Sequence, residues 1–306
     1  MVHAADKHLK ISFCTTCMGR LHHLKETLPQ NLINNADYPN TEFVILAYGD
    51  REVYDWVKDA YPEEIKTGRI KLAFTEQEYF RMAHAKNVAH RLGTGDVLVN
   101  LDADNVTGKD FAGWLNKEFS KNPDRVIRCT TKDKLRRKIA GKPIKSFDGR
   151  IAVHAQNFAK LHGYNERLNA WGGDDGDFEV RANASGLRTL PLPALQYGSI
   201  LPHSNESRYT NMSNDDVEKS LSNLAKGGNN LLNRVETVKR LLNISTKEAD
   251  NIEPANPDGD FGCGDVTFLK PDFSEEQRTL DPAPHPEWVA SYDKSVERPR
   301  GGWSIG

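Results

Sequence analysis

The 306-residue sequence predicts an α/β fold, Rossmann-like, with a mostly parallel sheet flanked by helices. Short apolar runs rich in β-branched residues alternate with stretches in which apolar residues recur at helical spacing. Glycine, asparagine and aspartate separate the two kinds of segment, as is typical of turns. Alternating strands and helices indicate parallel strands joined by right-handed crossovers.

The first hundred residues carry this alternation most clearly. Strands are predicted at Lys10–Thr15, Thr41–Ala47, Arg69–Phe74 and Val97–Leu101. The stretches between them are predicted as helices at Arg20–Leu32, Arg51–Ala60 and Arg81–Leu92. The last strand is short and flanked by glycines, which favours a buried strand over a helix.

The remainder of the chain is less regular. Further strands are predicted at Val126–Thr130 and Gly149–His154, and short helices at Phe111–Phe119 and Gln156–Leu161. The pattern is helical again from Val217 to Asn243, and seven prolines between Pro254 and Pro299 indicate an extended arm. We therefore expect an α/β domain at residues 1–210 and a C-terminal helical segment with an extended tail at residues 211–306.

Charge and hydropathy exclude several classes of protein. The chain has 41 Lys and Arg against 43 Asp and Glu, so no basic excess points to nucleic acid as a partner. The polar N-terminus and the lack of a long apolar run predict a cytoplasmic protein with no transmembrane segment. A peripheral contact with a membrane stays open.

Two carboxylates follow the strand Val97–Leu101. If the backbone stays extended, Asp102 and Asp104 point to the same side, about 7 Å apart between Cα atoms. Ligands of open α/β sheets bind beyond the carboxyl ends of the strands, where this pair would lie. Carboxylate oxygens suit Mg²⁺ or Mn²⁺, although such a pair by itself is more often a solvated acidic turn than a metal site.

A second acidic cluster occupies residues 171–177. Its glycines allow a close approach to a ligand, and Trp171 offers a flat face for a sugar ring. Asp174 and Asp175 are candidates for a general base, but a plain acidic turn that caps a helix explains the composition equally well. Farther along, His203 supplies an imidazole that could join a metal site, whereas a lone histidine is more often structural.

Taken together, these segments resemble the nucleotide-sugar glycosyltransferases of the GT-A fold. Phe13–Arg20, Arg81–Asn87 and Gly95–Asp104 are similar to the large family-2 inverting glycosyltransferases. Trp171–Asp175 and His203–Ser204 are similar to the C-terminal part of β-1,4-galactosyltransferases and of bacterial chondroitin-polymerase-like enzymes. The resemblance covers residues 10 to 210 and implies a GT-A fold for that part.

On the donor side, the resemblance implies a metal and a nucleotide. Asp104 and His203 would bind the divalent cation, Mn²⁺ or Mg²⁺, that bridges the two phosphates of a UDP-sugar. Asp102 would hold the ribose or a metal-bound water. The other nucleotide-sugar contacts would be Thr15, Arg20, Asp50, Arg81 and Lys86.

On the acceptor side, the resemblance implies that Asp175 is the catalytic base. Asp174 would hold acceptor hydroxyls, and Trp171 would touch the acceptor or donor sugar. The chain departs from the family at Asp174, where glutamate is usual, and at His162, where glycine is frequent. We therefore expect an inverting, metal-dependent transferase that moves a hexose or an N-acetylhexosamine from a UDP-sugar to a saccharide or glycolipid hydroxyl, as in polysaccharide biosynthesis.

Two other classes of protein fit parts of the sequence. Asp102–Val106 also matches the motif of haloacid-dehalogenase-type phosphatases, in which the first aspartate is a nucleophile. That motif normally follows the first strand of the domain, whereas three predicted strands precede it here. A carbohydrate-binding homologue without catalysis is the other alternative.

Overall fold

The computed structural model describes residues 8–130, 139–141, 149–168, 172–203, 209–226 and 255–282. The strands are β1 (Ile11–Cys17), β2 (Thr41–Tyr48), β3 (Ile70–Thr75), β4 (Val97–Asn100), β5 (Asn105–Val106), β6 (Arg125–Arg128), β7 (Ala152–His154), β8 (Arg188–Pro191), β9 (Ser199–Ile200), β10 (Gly264–Leu269) and β11 (Glu275–Leu280). The helices are α1 (Leu21–Asn34), α2 (Arg51–Ala60), α3 (Pro62–Lys66), α4 (Met82–Leu92), α5 (Phe111–Lys121), α6 (Ala155–Lys160), α7 (Asp174–Ala184), α8 (Ala194–Tyr197) and α9 (Asn214–Lys226).

Nine of these strands form one sheet in the order β11-β10-β3-β2-β1-β4-β7-β6-β8. Strands β7 and β10 are antiparallel to both of their neighbours, and the other strands of this sheet share one direction. Strands β5 and β9 form a separate antiparallel pair. The predicted α/β architecture with a mostly parallel sheet is therefore confirmed.

The central strands are covered by helices on both faces. Every residue of β2 is buried, as its uninterrupted apolar run predicts for a strand inside a parallel sheet. Phe43 and Ile45 belong to the core cluster that includes residues of α1 and α5. Val44 and Leu46 point to the opposite face and belong to the cluster that includes α4. This two-sided burial fixes the register and hence the position of each strand end.

The loops that carry the candidate site residues lie at the carboxyl edge of the sheet. Strands β1, β2, β3 and β4 are parallel, so their carboxyl ends meet at one edge. Arg20, Asp50, Arg81 and Asp102 follow these four strands in turn. This edge is where open α/β sheets bind their ligands.

The C-terminal part differs from the prediction. Residues 264–280 form the hairpin β10–β11, which extends the sheet beyond β3. The extended arm predicted from the prolines is therefore wrong for these residues. The sequence pattern that identifies a strand is weak here, because β11 is an exposed edge strand made mostly of polar residues. The predicted helix begins at Asn214 and is described as far as Lys226.

The predicted helix after residue 226 and most of the predicted tail lie outside the described residues. The division of the chain at residue 210 stays a prediction. None of the described helices is both long and apolar enough to span a membrane.

A buried carboxylate fastens the opposite, amino edge of the sheet. The Glu42 side chain has no exposed surface, and its Oε1 accepts hydrogen bonds from Ser12 Oγ at 2.7 Å and from the Thr94 amide at 2.6 Å. Its Oε2 lies 2.5 Å from Lys10 Nζ and 3.1 Å from Lys71 Nζ. Burial alone would raise the pKa of Glu42, but the bonds from Lys10, Ser12 and Thr94 outweigh it and lower the pKa to about 2.

We predict that Glu42→Gln destabilises the fold in a pH-dependent way. Because the pKa of Glu42 is lowered on folding, its ionised form contributes on the order of 3 kcal/mol at pH 7. That contribution disappears as the pH falls from its ordinary pKa of 4.5 towards 2. Urea unfolding at pH 7 and pH 3 should therefore show a large difference between wild type and variant at pH 7 and a smaller one at pH 3.

Glu63→Gln is the matched control for this experiment. Glu63 forms an exposed ion pair with Lys66, so its loss should change the free energy of unfolding by less than about 1 kcal/mol at either pH. A Glu42→Gln difference that stays constant between the two pH values would contradict the assignment.

Candidate active site

The small sheet of β5 and β9 brings together two residues that lie 99 positions apart in the sequence. Asp104 immediately precedes β5, and His203 follows β9 by three residues. The Leu201 amide donates to the Asp104 carbonyl at 2.8 Å and continues the pairing towards the site. As a result, His203 Nε2 lies 3.1 Å from Asp104 Oδ2.

Hydrogen bonds keep the Asp104 carboxylate ionised. Burial raises its pKa, but hydrogen bonds from His203 and from Asn105 more than offset this and leave the pKa below its ordinary value. Asn105 Nδ2 donates to Asp104 Oδ1 at 2.8 Å. The Arg20 guanidinium adds a favourable charge from the loop after β1. Asp104 therefore presents a charged oxygen beside an imidazole nitrogen.

The first aspartate of the pair, Asp102, lies between this group and a second acidic group. Asn100 Nδ2 donates to Asp102 Oδ1 at 2.8 Å and to the Gly149 carbonyl at 2.8 Å. A Cβ atom on Gly149 would lie 2.5 Å from Asp102 Oδ2, so any larger residue there would displace the Asp102 carboxylate. Burial, and next the charges of Asp104 and Asp175, raise the pKa of Asp102, while Lys86 opposes the shift.

The second acidic group is organised around a lysine. Lys86 of α4 is 3% exposed, and its Nζ lies 2.6 Å from Asp174 Oδ2 and 2.7 Å from Asp175 Oδ1. The ring of Tyr164 lies below the ammonium group, with its centroid 5.0 Å from Nζ. The two aspartates open helix α7, where negative charge is favoured by the helix dipole.

The environment of Asp175 suits proton transfer. Burial and the adjacent Asp174 carboxylate raise the pKa of Asp175, and Lys86 and Arg128 offset only part of this shift. A carboxylate with a raised pKa is a stronger base than an ordinary one. Arg128 Nη1 also donates to the Asp175 carbonyl at 3.2 Å, which fixes the start of α7.

The predicted nucleotide contacts line the neighbouring loops. Thr15 is buried in β1, and Arg81 begins helix α4. Asp50 caps α2 through a bond from the Val53 amide at 3.3 Å, and its other oxygen accepts from the Gly19 amide at 2.7 Å. Asp50 therefore joins the loops after β1 and β2. Lys86, by contrast, contacts the two aspartates of α7, which a nucleotide role does not predict.

A later segment packs over these loops. Asn211 Nδ2 donates to the Met18 carbonyl at 2.9 Å, and the Asn211 carbonyl accepts from the Phe80 amide at 2.6 Å. The loops after β1 and β3 are thus bridged by the chain that follows His203. Trp171, the predicted sugar contact, lies outside the described residues.

The donor set at Asp104 and His203 fits a divalent cation. Adjacent ligands of an octahedral ion with bonds of about 2.1 Å lie about 3.0 Å apart, close to the separation between these two atoms. Within the described ranges, no group of three or more His, Cys, Asp or Glu side chains is arranged to hold a metal. Further ligands would complete the coordination of a cation held there.

Two further side chains beside Asp104 and His203 carry no clear sequence signal. His23 lies on α1 with its ring centroid 6.1 Å from that of His203, and burial lowers its pKa. Arg150 lies fully buried beside Asn105. Both are isolated polar residues in otherwise ordinary segments, so spacing alone could not have selected them.

One segment of the chain is similar to a known family. Residues 132–205, which is less than half of the chain, match the family model described as the N-terminal domain of galactosyltransferase. The matched segment includes both Asp175 and His203. Among curated proteins, no sequence matches the chain.

Solved structures show the fold. Residues 1–349 of TarS from S. aureus, in complex with UDP-GlcNAc, are 13% identical and give a TM-score of 0.53, covering 77% of this chain and 72% of that one. The complex of the same protein with UDP is 14% identical and gives a TM-score of 0.50, covering 76% of this chain and 71% of that one. A mannosyltransferase from Pyrobaculum calidifontis, in complex with GDP-Man and Mn²⁺, is 15% identical, covers 80% and 76%, and gives 0.49. The chain has the GT-A fold, as the resemblance implied.

We predict that Lys86→Met destabilises the protein by about 3–5 kcal/mol at pH 7, because it leaves two buried carboxylates without their cation. The pKa of Asp175 is already raised and would rise further. Protonation of Asp175 therefore removes its destabilising charge as the pH falls. Urea unfolding should show a smaller loss in the free energy of unfolding at pH 5 than at pH 7.

Two variants control this prediction. Lys66→Met breaks only an exposed pair and should cost less than about 1 kcal/mol. Asp174→Asn in the Lys86→Met background should recover part of the loss, since it removes one of the uncompensated charges. A loss of unfolding free energy that does not depend on pH, and that Asp174→Asn does not reduce, would contradict the role of Lys86 in compensating the two carboxylates.

Proposed function

We propose that this protein is a divalent-metal-dependent, inverting glycosyltransferase. It moves a hexose or an N-acetylhexosamine from a UDP-sugar to a hydroxyl of a saccharide or glycolipid. The match at residues 132–205 supports a glycosyltransferase, and UDP-GlcNAc, which TarS binds, is the first donor to test.

One observation carries the proposal: two chemically different groups meet at the carboxyl edge of the sheet. The pair of Asp104 and His203 offers an oxygen and a nitrogen ligand. The cluster of Lys86, Asp174 and Asp175 offers a base with a raised pKa. Asp102 lies between them, since the charges of Asp104, Asp175 and Lys86 all act on it. A glycosyl transfer needs both groups near one sugar.

On the donor side, Asp104 and His203 would hold Mn²⁺ or Mg²⁺. A carboxylate and an imidazole form a mixed donor set that accommodates Mn²⁺ more readily than the harder Mg²⁺. When bound, the cation stabilises the negative charge of the departing diphosphate as a Lewis acid. Arg20 places a further positive charge beside Asp104, and Asp102 would bind the ribose or a metal-bound water.

On the acceptor side, Asp175 takes the proton of the attacking hydroxyl. Lys86 holds Asp175 Oδ1, so Oδ2 is the oxygen that accepts this proton. The new bond forms between the acceptor oxygen and the anomeric carbon while the bond to UDP breaks. Attack from the side opposite UDP inverts the anomeric centre, and Asp174 orients the acceptor.

A panel of UDP-sugars tests the proposal. Metal-dependent release of UDP, increased by a saccharide acceptor, would support a transferase and identify the donor. Turnover of p-nitrophenyl phosphate without UDP release would support the phosphatase alternative. Saccharide binding with neither reaction would contradict catalysis.

We predict that Asp175→Asn lowers the transfer rate by about 10²-fold or more, because the amide cannot accept the hydroxyl proton. Binding of UDP with Mn²⁺ should remain close to that of wild type. The rates are compared by UDP release with the best acceptor, and Asp59→Asn on the exposed face of α2 serves as control. An Asn variant with full activity would remove Asp175 from the mechanism.

We predict that His203→Ala weakens Mn²⁺-dependent binding of UDP, because it removes one of two protein ligands. Calorimetric titration of UDP in the presence and absence of Mn²⁺ measures the effect. His8→Ala, at the exposed amino edge of the sheet, should leave both titrations unchanged. Identical curves for His203→Ala and wild type would exclude His203 from the metal site.

A further inference from the structure

Arg150 is an unusual residue for the interior of the protein. It is 1% exposed and lies between Gly149, which packs against Asp102, and the start of β7. A buried guanidinium is costly unless acceptors surround it, because it always carries its charge. The position of its acceptors therefore indicates what the residue holds in place.

The Arg150 guanidinium bridges both strands of the small sheet. Nη1 donates to the carbonyl of Tyr197 at the end of α8. Nη2 donates to Asn105 Oδ1 at 2.9 Å, to the Val106 carbonyl at 3.1 Å and to the Ser199 carbonyl at 3.2 Å. One side chain thus fastens β5, β9 and the turn that leads into β9.

The pairing of β5 with β9 requires stabilisation by other parts of the protein. Each of its strands has two residues, and an isolated pair of short strands is marginally stable at best. Yet this pair fixes Asp104 at one end of β5 and His203 after the end of β9. The separation between the two side chains depends on the pairing of their strands.

A direct chain of bonds also reaches the Asp104 carboxylate. Arg150 Nη2 bonds to Asn105 Oδ1, and the amide nitrogen of the same side chain donates to Asp104 Oδ1. The Asn105 side chain is therefore held in one orientation, with its oxygen towards Arg150. This leaves Asp104 Oδ2 directed at His203.

We propose that Arg150 is a positioning residue that sets the affinity of the Asp104 and His203 pair for a divalent cation. The inference rests on the proposed function and adds a residue that the resemblance does not supply. The guanidinium is required because its second nitrogen reaches the Tyr197 carbonyl while Nη2 bonds to β5 and β9, whereas a lysine offers a single nitrogen on a shorter side chain.

The test measures metal affinity rather than activity. Mn²⁺ is titrated into the full-length protein at saturating UDP, and free Mn²⁺ is followed by electron paramagnetic resonance below the unfolding temperature of each variant. Arg150→Met and Arg150→Lys should bind Mn²⁺ about 10- to 100-fold more weakly than wild type, as is typical when an outer partner of a metal ligand is removed.

Arg181→Met is the matched control for burial and loss of charge. Arg181 is 4% exposed and also donates to two main-chain carbonyls, those of Leu161 and Gly163. The Arg181→Met variant should lower the midpoint of thermal unfolding, as Arg150→Met does, but it should leave the Mn²⁺ affinity at the wild-type value. Equal weakening by both variants would make the effect one of general stability and overturn the proposal.

Asn105→Ala tests the same chain of bonds without removing the buried cation. It should weaken Mn²⁺ binding in the same range, and combining it with Arg150→Lys should add little, because both changes break one connection. Wild-type affinity in Asn105→Ala and in the Arg150 variants would overturn the positioning role alone. Failure of the wild-type protein to bind Mn²⁺ with UDP would overturn the proposed function as well.

Discussion

The site depends on one buried cation, the ammonium group of Lys86. It joins α4 to the first turn of α7, although Lys86 and Asp174 lie 88 residues apart in the sequence. Two adjacent carboxylates that are buried together repel each other and lose their hydration, so they need a cation between them. Because Lys86 supplies it, the carboxylate of Asp175, the proposed base, can stay in the interior with a pKa that is raised only in part.

A buried charge also stabilises the amino edge of the sheet, but there the pKa of the carboxyl group is lowered instead of raised. Glu42 has two lysines and two hydroxyl-bearing neighbours, which lower its pKa to about 2 and leave it inert. Burial and the adjacent Asp174 carboxylate raise the pKa of Asp175, and Lys86 and Arg128 offset only part of this shift. The two carboxylates therefore differ in how far their partners offset the cost of burial, which suits Glu42 to a structural role and Asp175 to the proposed role of a base.

The sequence predicts the features that depend on local patterns. Apolar runs of the right length identify the four central strands, and the aspartates after β4 lie where the carboxyl ends of parallel strands place them. Long-range pairing leaves no such pattern, so the two-residue strands β5 and β9 and the polar edge strand β11 were not predicted. The contact of Lys86 with Asp174 and Asp175 was missed for the same reason, and the resemblance assigned this lysine to the nucleotide.

The distribution of cations also separates the two halves of the proposed reaction. Asp174 and Asp175 have an internal cation, so they compete weakly for a divalent metal. Asp104 has hydrogen-bond donors and an imidazole beside it, and an external cation can replace the bond from His203 without leaving a buried charge unpaired. An added metal should therefore select the donor side. The proposed acceptor side then keeps Asp175 Oδ2 for proton transfer, because Lys86 binds the other oxygen of that carboxylate.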